Sequence, residues 1–287
     1  MTNGTNFNDN NTTQNGVYYP ALNGTSSNDS INGLAGDDIL YGGGGYDYLD
    51  GGTGADKMYG GTDGDTYIVD NAGDLVVEYA NEGLDEVYSS IISYGLPANV
   101  ETLYLTGTAD STGIGNELDN FISGNSGNNY LLGGAGNDNL YGMDGNDSIY
   151  GGTGSDYISG GNGSDRLIGS FQELDSSVVD ILNGGAGSDT FVLGGGWGVS
   201  YRSADHLDEG GGFAIIEDWN PAADYIEAKG NANQYEITYS YGGSPTQVGK
   251  ADGDIFIFYK ENNGTSDLIA IVQDSTDVNF ARDFHFI

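Results

Sequence analysis

The sequence predicts an all-β solenoid, and three observations point to it. A nine-residue phrase, Gly-Gly-x-Gly-x-Asp-x-(large apolar)-x, returns at 42–50, 51–59, 133–141, 151–159, 160–168 and 184–192. A fixed short period means that each copy adopts one backbone shape and stacks on its neighbours. The segments between and after the copies are rich in β-branched and aromatic residues, and signals for helices are scarce. Short strands are therefore expected to stack along the chain.

The first array of repeats is predicted to span residues 24–69. With positions counted from the first glycine, position six is filled by aspartates nine residues apart: Asp29, Asp38, Asp47, Asp56 and Asp65. Position eight is filled by large apolar residues: Ile31, Leu40, Leu49, Met58 and Tyr67. These apolar side chains are expected to point into the core. The preceding residues 1–23 are polar and Asn-rich, and are expected to form a disordered or poorly ordered leader.

Residues 70–114 lose the glycine phrase but keep strand-forming composition. Apolar and β-branched runs occupy 75–79, 87–94 and 100–106, and short turns with glycine separate them. They are expected to continue the same stack as a β-rich, metal-free solenoid spacer.

The second array is predicted to span residues 115–192. Its position six carries Asn120, Asn129, Asp138, Asp147, Asp156 and Asp165 and, after an insert at 170–179, Asp180 and Asp189. Its position eight carries Ile122, Leu131, Leu140, Ile149, Ile158, Leu167, Leu182 and Phe191. Residues 193–287 are expected to form a β-rich C-terminal cap, since the end of a solenoid would otherwise expose an unpaired strand edge.

The composition limits what the chain binds. Lys and Arg together number 7 against 43 Asp and Glu, a formal charge of −36. Such a chain is expected to be expanded unless cations neutralise it. The same charge argues against nucleic acid and against anionic membrane surfaces, both of which require basic residues. The chain has no cysteine, so disulfides and thiolate metal sites are excluded. No apolar run is long enough for a membrane span.

The repeat has the chemistry of a calcium site. Glycine at positions one, two and four permits positive φ and close approach of the backbone, so a turn can aim carbonyl oxygens at a ligand. Aspartate at position six adds a carboxylate. Calcium accepts six to eight such oxygens, whereas magnesium demands a stricter octahedron and keeps its water. Imidazole and thiolate, the ligands that zinc and copper prefer, are missing from the repeat.

These nonapeptides resemble the RTX family, the calcium-binding repeats of secreted bacterial proteins. The resemblance is strong over 24–69 and 115–192. It implies a right-handed parallel β-roll in which two nonapeptides form one turn and each calcium lies between a repeat and the repeat two further on. The implied carboxylate pairs are Asp29–Asp47, Asp38–Asp56, Asp47–Asp65, Asp138–Asp156, Asp147–Asp165, Asp156–Asp180 and Asp165–Asp189. About seven calcium ions are expected, within a range of about five to ten.

The resemblance also implies backbone ligands from positions one and three of the first repeat in a pair and from positions two and four of the second. For the Asp38–Asp56 pair these carbonyls belong to Gly33, Ala35, Gly52 and Gly54. The other candidates are Gly42, Gly43, Gly44, Gly45, Gly61, Gly133, Ala135, Gly142, Asp144, Gly151, Gly152, Thr153, Gly154, Gly160, Gly161, Asn162, Gly163, Gly185 and Gly187.

Some copies depart from the pattern. Asn120 and Asn129 lack the carboxylate, so weaker or empty sites are expected there. Asp63 stands where the site of Asp65 expects a glycine, and the insert before Asp180 interrupts the register. Those two sites are expected to depart from regular geometry.

No catalytic motif accompanies the repeats. The two histidines, His206 and His285, are far apart in sequence, and neither His-Glu-x-x-His nor Gly-x-Ser-x-Gly occurs. We therefore expect a non-enzymatic protein, structural or self-assembling at a surface or in a matrix. The alternative is a calcium- or carbohydrate-binding module accessory to a secreted polysaccharide epimerase, protease or lipase. Because the repeats begin near residue 24, they leave no room for a catalytic domain in this chain.

The RTX resemblance implies export without a cleaved N-terminal signal, which agrees with a polar start at 1–14. Type I secretion guided by the C-terminus is expected, with calcium outside the cell driving folding. The ending 283–287 is acidic and then apolar, as such signals are, and equally suits a last strand of the cap.

Besides calcium, the expected partners are the protein itself, as a homo-oligomer or filament, or extracellular polysaccharide. Tyr41 and Tyr59 are predicted to stack on one outer face.

Overall fold

The computed structural model describes residues 1–14, 17–170, 178–195, 198–199, 213–239, 254–260, 266–273, 275 and 278–287. In these ranges the regular secondary structure is β-strand apart from one 3-10 turn, Ala232–Gln234, and one short helix, α1, Phe280–Asp283. No helix among the described residues has the length and apolar character needed to cross a membrane. The core of the predicted insert, 171–177, and His206 lie outside the described residues. The chain forms two compact units, Met1–Asn125 and Ser126–Ile287.

The first unit contains fifteen strands in its described residues. They are β1 Thr2–Asn3, β2 Thr12–Gln14, β3 Val17–Tyr19, β4 Leu22–Asn23, β5 Ser30–Asn32, β6 Ile39–Gly44, β7 Tyr48–Asp50, β8 Lys57–Thr62, β9 Thr66–Val69, β10 Leu75–Val77, β11 Glu86–Ser89, β12 Ser93–Gly95, β13 Thr102–Leu105, β14 Thr112–Ile114 and β15 Phe121–Ser123.

Two parallel ladders run through the first unit. One is β1-β5-β7-β9-β11-β13-β15 and the other is β4-β6-β8-β10, with β12-β14 as a further parallel pair. Ile31 pairs with Leu49 in one ladder and Leu40 with Met58 in the other. Each partner lies eighteen residues along the chain, so one coil takes two nonapeptides. This is the parallel β-roll that the repeat predicts.

The predicted spacer continues these ladders. In it β10 pairs with β8, and β11 pairs with both β9 and β13. Residues 70–114 therefore belong to the same stack as the first array, although they lack its glycine turns.

The predicted disordered leader is the point where the structure differs from the expectation. Residues 1–23 contain four strands, of which β1 pairs with β5, β4 pairs with β6, and β2 and β3 form an antiparallel hairpin. The reason is a degenerate repeat: Asn-Gly-Thr-x-x-Asn-Asp occurs at 3–9 and again at 23–29. The copy at 3–9 has Asn11 at position eight in place of an apolar residue, so it does not match the full phrase.

The second unit contains the remaining strands. They are β16 Tyr130–Ala135, β17 Asn139–Asp144, β18 Ser148–Thr153, β19 Tyr157–Gly163, β20 Arg166–Ser170, β21 Val179–Gly187, β22 Thr190–Val192, β23 Gly194–Gly195, β24 Gly198–Val199, β25 Phe213–Ile216, β26 Tyr225–Ala228, β27 Tyr235–Tyr239, β28 Ile255–Lys260, β29 Ser266–Val272 and β30 Phe284–Phe286.

Two parallel ladders form this unit as well, β17-β19-β21-β25-β29 and β16-β18-β20-β22-β26-β30. The insert does not disturb the register, because Ile158 still pairs with Leu182. Residues after 192 extend both ladders, and the antiparallel strands β28 and β27 end one of them. The last strand, β30, pairs with β26.

One row of apolar side chains fills the interior of each unit. All thirteen position-eight residues that the sequence assigns to the core are fully buried: Ile31, Leu40, Leu49, Met58, Tyr67, Ile122, Leu131, Leu140, Ile149, Ile158, Leu167, Leu182 and Phe191. Period-two alternation in each short strand sends the residues on either side of them outward. On the outer face Tyr41 and Tyr59 stack with ring centroids 4.9 Å apart, as predicted.

The turns require a left-handed backbone even where glycine is absent. Leu34, Asp63 and Met143 have φ of 78°, 73° and 83°. Leu34 and Met143 occupy position two and Asp63 occupies position four. A side chain with a Cβ adopts this conformation at a cost of about 1–2 kcal/mol, so stacking of the coils overrides local preference. The turn that was expected to be irregular at Asp63 keeps the left-handed form.

Replacing Met143 with glycine should therefore stabilise the calcium-loaded protein by about 1 kcal/mol. The Met143 side chain is 52% exposed and loses little packing when it is removed. The measurement is urea unfolding at saturating calcium, followed by circular dichroism. Met143→Ala is the matched control, because it removes the side chain and keeps the strain. Equal stability of the two variants would contradict the assignment of strain to this turn.

Candidate metal centre

A ladder of aspartates joins successive coils along each array. In each predicted pair, the Oδ1 atom of the second aspartate accepts a hydrogen bond from the backbone N–H of the first, which lies one coil earlier. All seven predicted pairs make this contact: Asp29–Asp47, Asp38–Asp56, Asp47–Asp65 and Asp147–Asp165 at 2.7 Å, Asp156–Asp180 at 2.8 Å, and Asp138–Asp156 and Asp165–Asp189 at 2.9 Å. The structure therefore brings together every predicted carboxylate pair, including the one that follows the insert.

The second carboxylate oxygen has a different environment. Oδ2 is buried and makes no hydrogen bond to the protein in Asp38, Asp47, Asp56, Asp65, Asp85 and Asp165. These side chains are no more than 3% exposed. A buried carboxylate oxygen without a partner is costly. A buried Oδ2 atom without a hydrogen-bond partner recurs at the same position of successive coils. This recurrence indicates that each Oδ2 atom faces a cation.

The glycine at position one makes room for that oxygen. A Cβ placed on Gly33 would lie 2.6 Å from Asp38 Oδ2, and a Cβ on Gly42 would lie 2.5 Å from the carbonyl oxygen of Gly60 in the next coil. The same clash with the aspartate recurs at Gly51, Gly133, Gly142, Gly151 and Gly160. Position one is thus an oxygen-lined space that a side chain would fill. Such a donor set, carboxylate and carbonyl oxygens, suits calcium.

Many of the predicted backbone ligands lie in the last residues of strands, and the others lie in the turns beside them. Ala35 bridges to Thr53, and Thr53 exchanges hydrogen bonds with Leu34 at 3.0 Å and Gly36 at 2.8 Å. In the second unit Ala135 pairs with Thr153, Asp144 with Asn162 and Gly163 with Gly187. This stacking brings the carbonyl groups of neighbouring turns side by side. Their role as calcium ligands stays a prediction.

Comparison with known proteins agrees with this geometry. A family model for the RTX calcium-binding nonapeptide repeat matches residues 21–49, 35–67, 114–149, 141–172 and 179–197. The chain carries RTX calcium-binding repeats. A comparison with solved structures finds a similarity to the solution structure of the AlgE6R3 subunit from the Azotobacter vinelandii mannuronan C5-epimerase, at 24% identity and a TM-score of 0.33, over 59% of this chain and 78% of that one. No curated protein matches the chain.

Burial raises the pKa of the RTX aspartates. It is the main cause that brings the pKa of Asp56 and Asp65 to about 7 and that of Asp38, Asp165 and Asp189 to about 6, and neighbouring carboxylates add to it. Backbone hydrogen bonds oppose the shift. In the absence of a cation these sites would hold protons near neutral pH.

Asp29 is an exception at the degenerate start of the first array. Its Oδ2 accepts hydrogen bonds from the backbone N–H of Thr25 at 2.7 Å and from the Thr25 hydroxyl at 2.8 Å. These bonds lower the pKa of Asp29. A cation at the Asp29–Asp47 pair would therefore compete with Thr25 for this oxygen.

The two asparagines use protein partners instead. Asn120 Oδ1 accepts from the N–H of Asn116 at 2.7 Å, and its Nδ2 donates to the carbonyl of Glu101 at 3.3 Å. The backbone N–H of Asn129 still donates to Asp147 Oδ1, at 2.6 Å. The Asn120 amide is thus bonded to its own turn and to the coil before it, while the backbone of Asn129 belongs to the ladder. Weaker or empty calcium sites at these two residues stay a prediction.

Four members of the ladder were not predicted from the sequence. Asp38 Oδ1 accepts from the N–H of Asp9 at 2.5 Å, and Asp74, Asp85 and Asp224 accept from the coil before them at 2.7–3.0 Å. The glycine phrase is absent at these places, but the last three keep Asp-x-(apolar), as in Asp224-Tyr225-Ile226. The tripeptide Asp-x-(apolar) is the sequence signal that could have predicted Asp74, Asp85 and Asp224.

Replacing Asp147 with asparagine should remove calcium from one position without breaking the ladder. An asparagine at 147 has an amide oxygen that can accept the hydrogen bond that Asp147 Oδ1 receives from the N–H of Asn129, but it lacks the charge. A site filled at a hundredfold excess of calcium contributes about 2.7 kcal/mol, so stability in calcium should fall by about that amount. Calorimetric titration should show reduced stoichiometry.

The matched control for that variant is Asp144→Asn, which removes one exposed carboxylate from the same repeat and keeps its backbone carbonyl. Equal calcium stoichiometry in Asp147→Asn and Asp144→Asn would contradict the role of the buried ladder.

Calcium binding should weaken as the pH falls through 7 to 6. The folded-state pKa values of about 6 to 7 exceed the ordinary value of 3.8, so protons bind the folded carboxylates first and compete with the metal. By the same linkage, the calcium-free fold gains stability as the pH falls from about 7 towards 4, where the folded state binds more protons than the unfolded chain. Titrations in two buffers of different ionisation enthalpy at pH 6.5 should show proton release. A calcium midpoint that is constant between pH 8 and 5.5 would contradict this.

Proposed function

We propose that this protein is a secreted, non-enzymatic RTX protein that folds when it binds extracellular calcium and then serves as a structural component of a surface or matrix. The observation that carries the proposal is the ladder of buried aspartates, each with one oxygen tied to the neighbouring coil. In six of them the other oxygen has no protein partner. The aspartates that would bind the cations are therefore the same residues that join successive coils.

Electrostatics makes folding depend on the cation. Adjacent coils bring carboxylates to the spacing of neighbouring strands, about 5 Å. Two such charges repel by about 0.8 kcal/mol in water and about 3 kcal/mol at an effective dielectric constant near 20. Few Lys and Arg are present to offset a formal charge of −36. Among the described residues Arg166 and Arg282 already pair with Glu227 and Asp283. Calcium between the coils would remove this repulsion.

Secretion follows from the same dependence. Where calcium is scarce, as inside a cell, the chain would stay unfolded and suited to passage through a type I channel. Outside, millimolar calcium would fold it. The C-terminal residues form α1 and β30, and Phe284 pairs with Ile226. A signal at this end would therefore be exposed in the unfolded chain and become part of the cap after export.

The outer face supports a structural role. Tyrosines stack across strands, with ring centroids 4.9 Å apart for Tyr41–Tyr59 and 4.7 Å for Tyr88–Tyr104. Stacked aromatic rings stabilise a sheet and also offer a surface for sugar rings or for a second copy. We infer self-association as the first use of this face and binding of extracellular polysaccharide as the second.

Calcium should convert the chain from an expanded to a β-rich state. Circular dichroism should show disordered backbone in excess chelator and a cooperative gain of β-signal on addition of calcium. Magnesium at equal concentration should produce a much smaller gain, because it resists exchanging its water for an irregular oxygen set. A folded spectrum that survives exhaustive chelation at pH 8 would contradict calcium-dependent folding.

Sedimentation of the calcium-loaded protein distinguishes self-association from polysaccharide binding by an accessory module. A concentration-dependent rise in mass supports self-association. A monomer that sediments with a polysaccharide indicates the accessory-module alternative.

A further inference from the structure

A cluster of three acids lies where the first array passes into the spacer. Asp65 precedes β9, Glu78 follows β10 and Asp85 precedes β11. One carboxylate oxygen from each of the three lies within 4.8 Å of the others. Residues 70–114 were expected to be metal-free, so this cluster calls for its own explanation.

Glu78 occupies a position that is glycine in the arrays. Val77 pairs with Tyr59 in the β10–β8 ladder, so Glu78 follows β10 as Gly60 follows the same point of β8. Its side chain lies over Gly60, where an added Cβ would be 2.6 Å from Glu78 Oε1. In the arrays the equivalent glycine can offer only a neutral backbone oxygen. Here the coil offers a charged carboxylate instead.

The hydrogen bonds of the cluster leave one oxygen of each acid unused. Asp65 Oδ1 accepts from the N–H of Asp47 and Asp85 Oδ1 from the N–H of Asp65, both at 2.7 Å. Glu78 Oε1 accepts from the hydroxyl of Tyr67. Asp65 Oδ2, Glu78 Oε2 and Asp85 Oδ2 are buried and have no hydrogen-bond partner. Their residues are 1%, 6% and 1% exposed.

The charges around the cluster are of one sign. The electrostatic neighbours that act on these three acids are other carboxylates, Glu82 and Glu101 among them. Burial raises the pKa of Glu78 to about 8, against the opposing hydrogen bond from Tyr67, and the neighbouring carboxylates add to the rise. Three buried carboxylates at this separation cannot all be ionised without a cation.

We propose that Asp65, Glu78 and Asp85 form a calcium site in the spacer. The donors are hard oxygens from three successive segments of the coil, which is the ligand class of calcium. The site deepens the proposed function, since it uses the same ion, but it has three carboxylates where the pairs of the arrays have two. Affinity for calcium rises with the number of charged ligands. This site therefore fills before the array sites and fixes the first glycine-free coil on the array.

Glu78→Gln tests the proposal with little change of shape. The amide oxygen can still accept the Tyr67 hydrogen bond, so the coil is retained while the charge is lost. We expect calorimetric titration of the wild-type chain to show one high-affinity calcium, which Glu78→Gln weakens at least about tenfold. Glu78→Gly, which restores the residue of the arrays, should do the same. Glu82→Gln, a nearby acid outside the cluster, should leave that calcium bound.

Terbium gives a second readout, since it replaces calcium in oxygen sites and emits when a nearby tyrosine is excited. The first equivalent of terbium should emit through Tyr67, and Tyr67→Phe should reduce that emission. Unchanged titration of Glu78→Gln, with Tyr67→Phe as bright as the wild type, would overturn the site. Asp147→Asn distinguishes the two proposals: if it loses an array calcium while Glu78→Gln loses none, only the spacer site fails, and if neither loses calcium, the proposed function fails as well.

Discussion

The structure depends on a single side chain that performs two tasks. The position-six aspartate uses Oδ1 to hold the backbone N–H of the preceding coil, as in the 2.7 Å contact between Asp38 and Asp56. Its Oδ2 faces the turn, where a side chain at position one would collide with it. The first task needs only an oxygen, and an asparagine can perform it. The second needs a negative charge. Registry of the coils and binding of the cation are therefore carried by different atoms of one residue.

This division explains which features could be predicted from the sequence. The nine-residue spacing predicted the stacked strands and the thirteen buried apolar residues, because spacing fixes both the register and the face of each residue. The β-roll and the seven carboxylate pairs were implied by the RTX resemblance. The glycine phrase does not mark Asp9, Asp74, Asp85 and Asp224. Asp74 keeps the interval of eighteen residues from Asp56, whereas the intervals from Asp9 to Asp38, from Asp65 to Asp85 and from Asp189 to Asp224 are 29, 20 and 35 residues and depart from the period. Glycine is required by the turn, whereas Asp-x-(apolar) supplies the ladder hydrogen bond and the buried side chain. A coil needs only Asp-x-(apolar) to pair with its neighbours.

The described strands on either side of the insert keep the same register. Ile158 and Leu182 remain paired across the insert, and Asp180 remains in hydrogen-bond contact with Asp156 at 2.8 Å. The entropic cost of closing a loop between two strands grows only slowly with the length of the loop. A shift of one residue within a strand would instead turn every apolar side chain to the outside. Insertions are thus permitted between ladder residues and excluded within the tripeptide Asp-x-(apolar).

The end of the first array shows what happens when the glycine turn stops but the ladder continues. Asp65 still presents Oδ2 into its own turn, as Asp47 and Asp56 do, yet the next coil no longer offers a glycine at position one. Glu78 stands there instead and reaches the same space with a carboxylate. The Tyr67 hydroxyl, directed at Glu78 from the core row, fixes its orientation. A charged ligand on a side chain thus replaces a neutral ligand on a glycine backbone. This exchange is what allows a cation to remain at the junction where the repeat itself has ended.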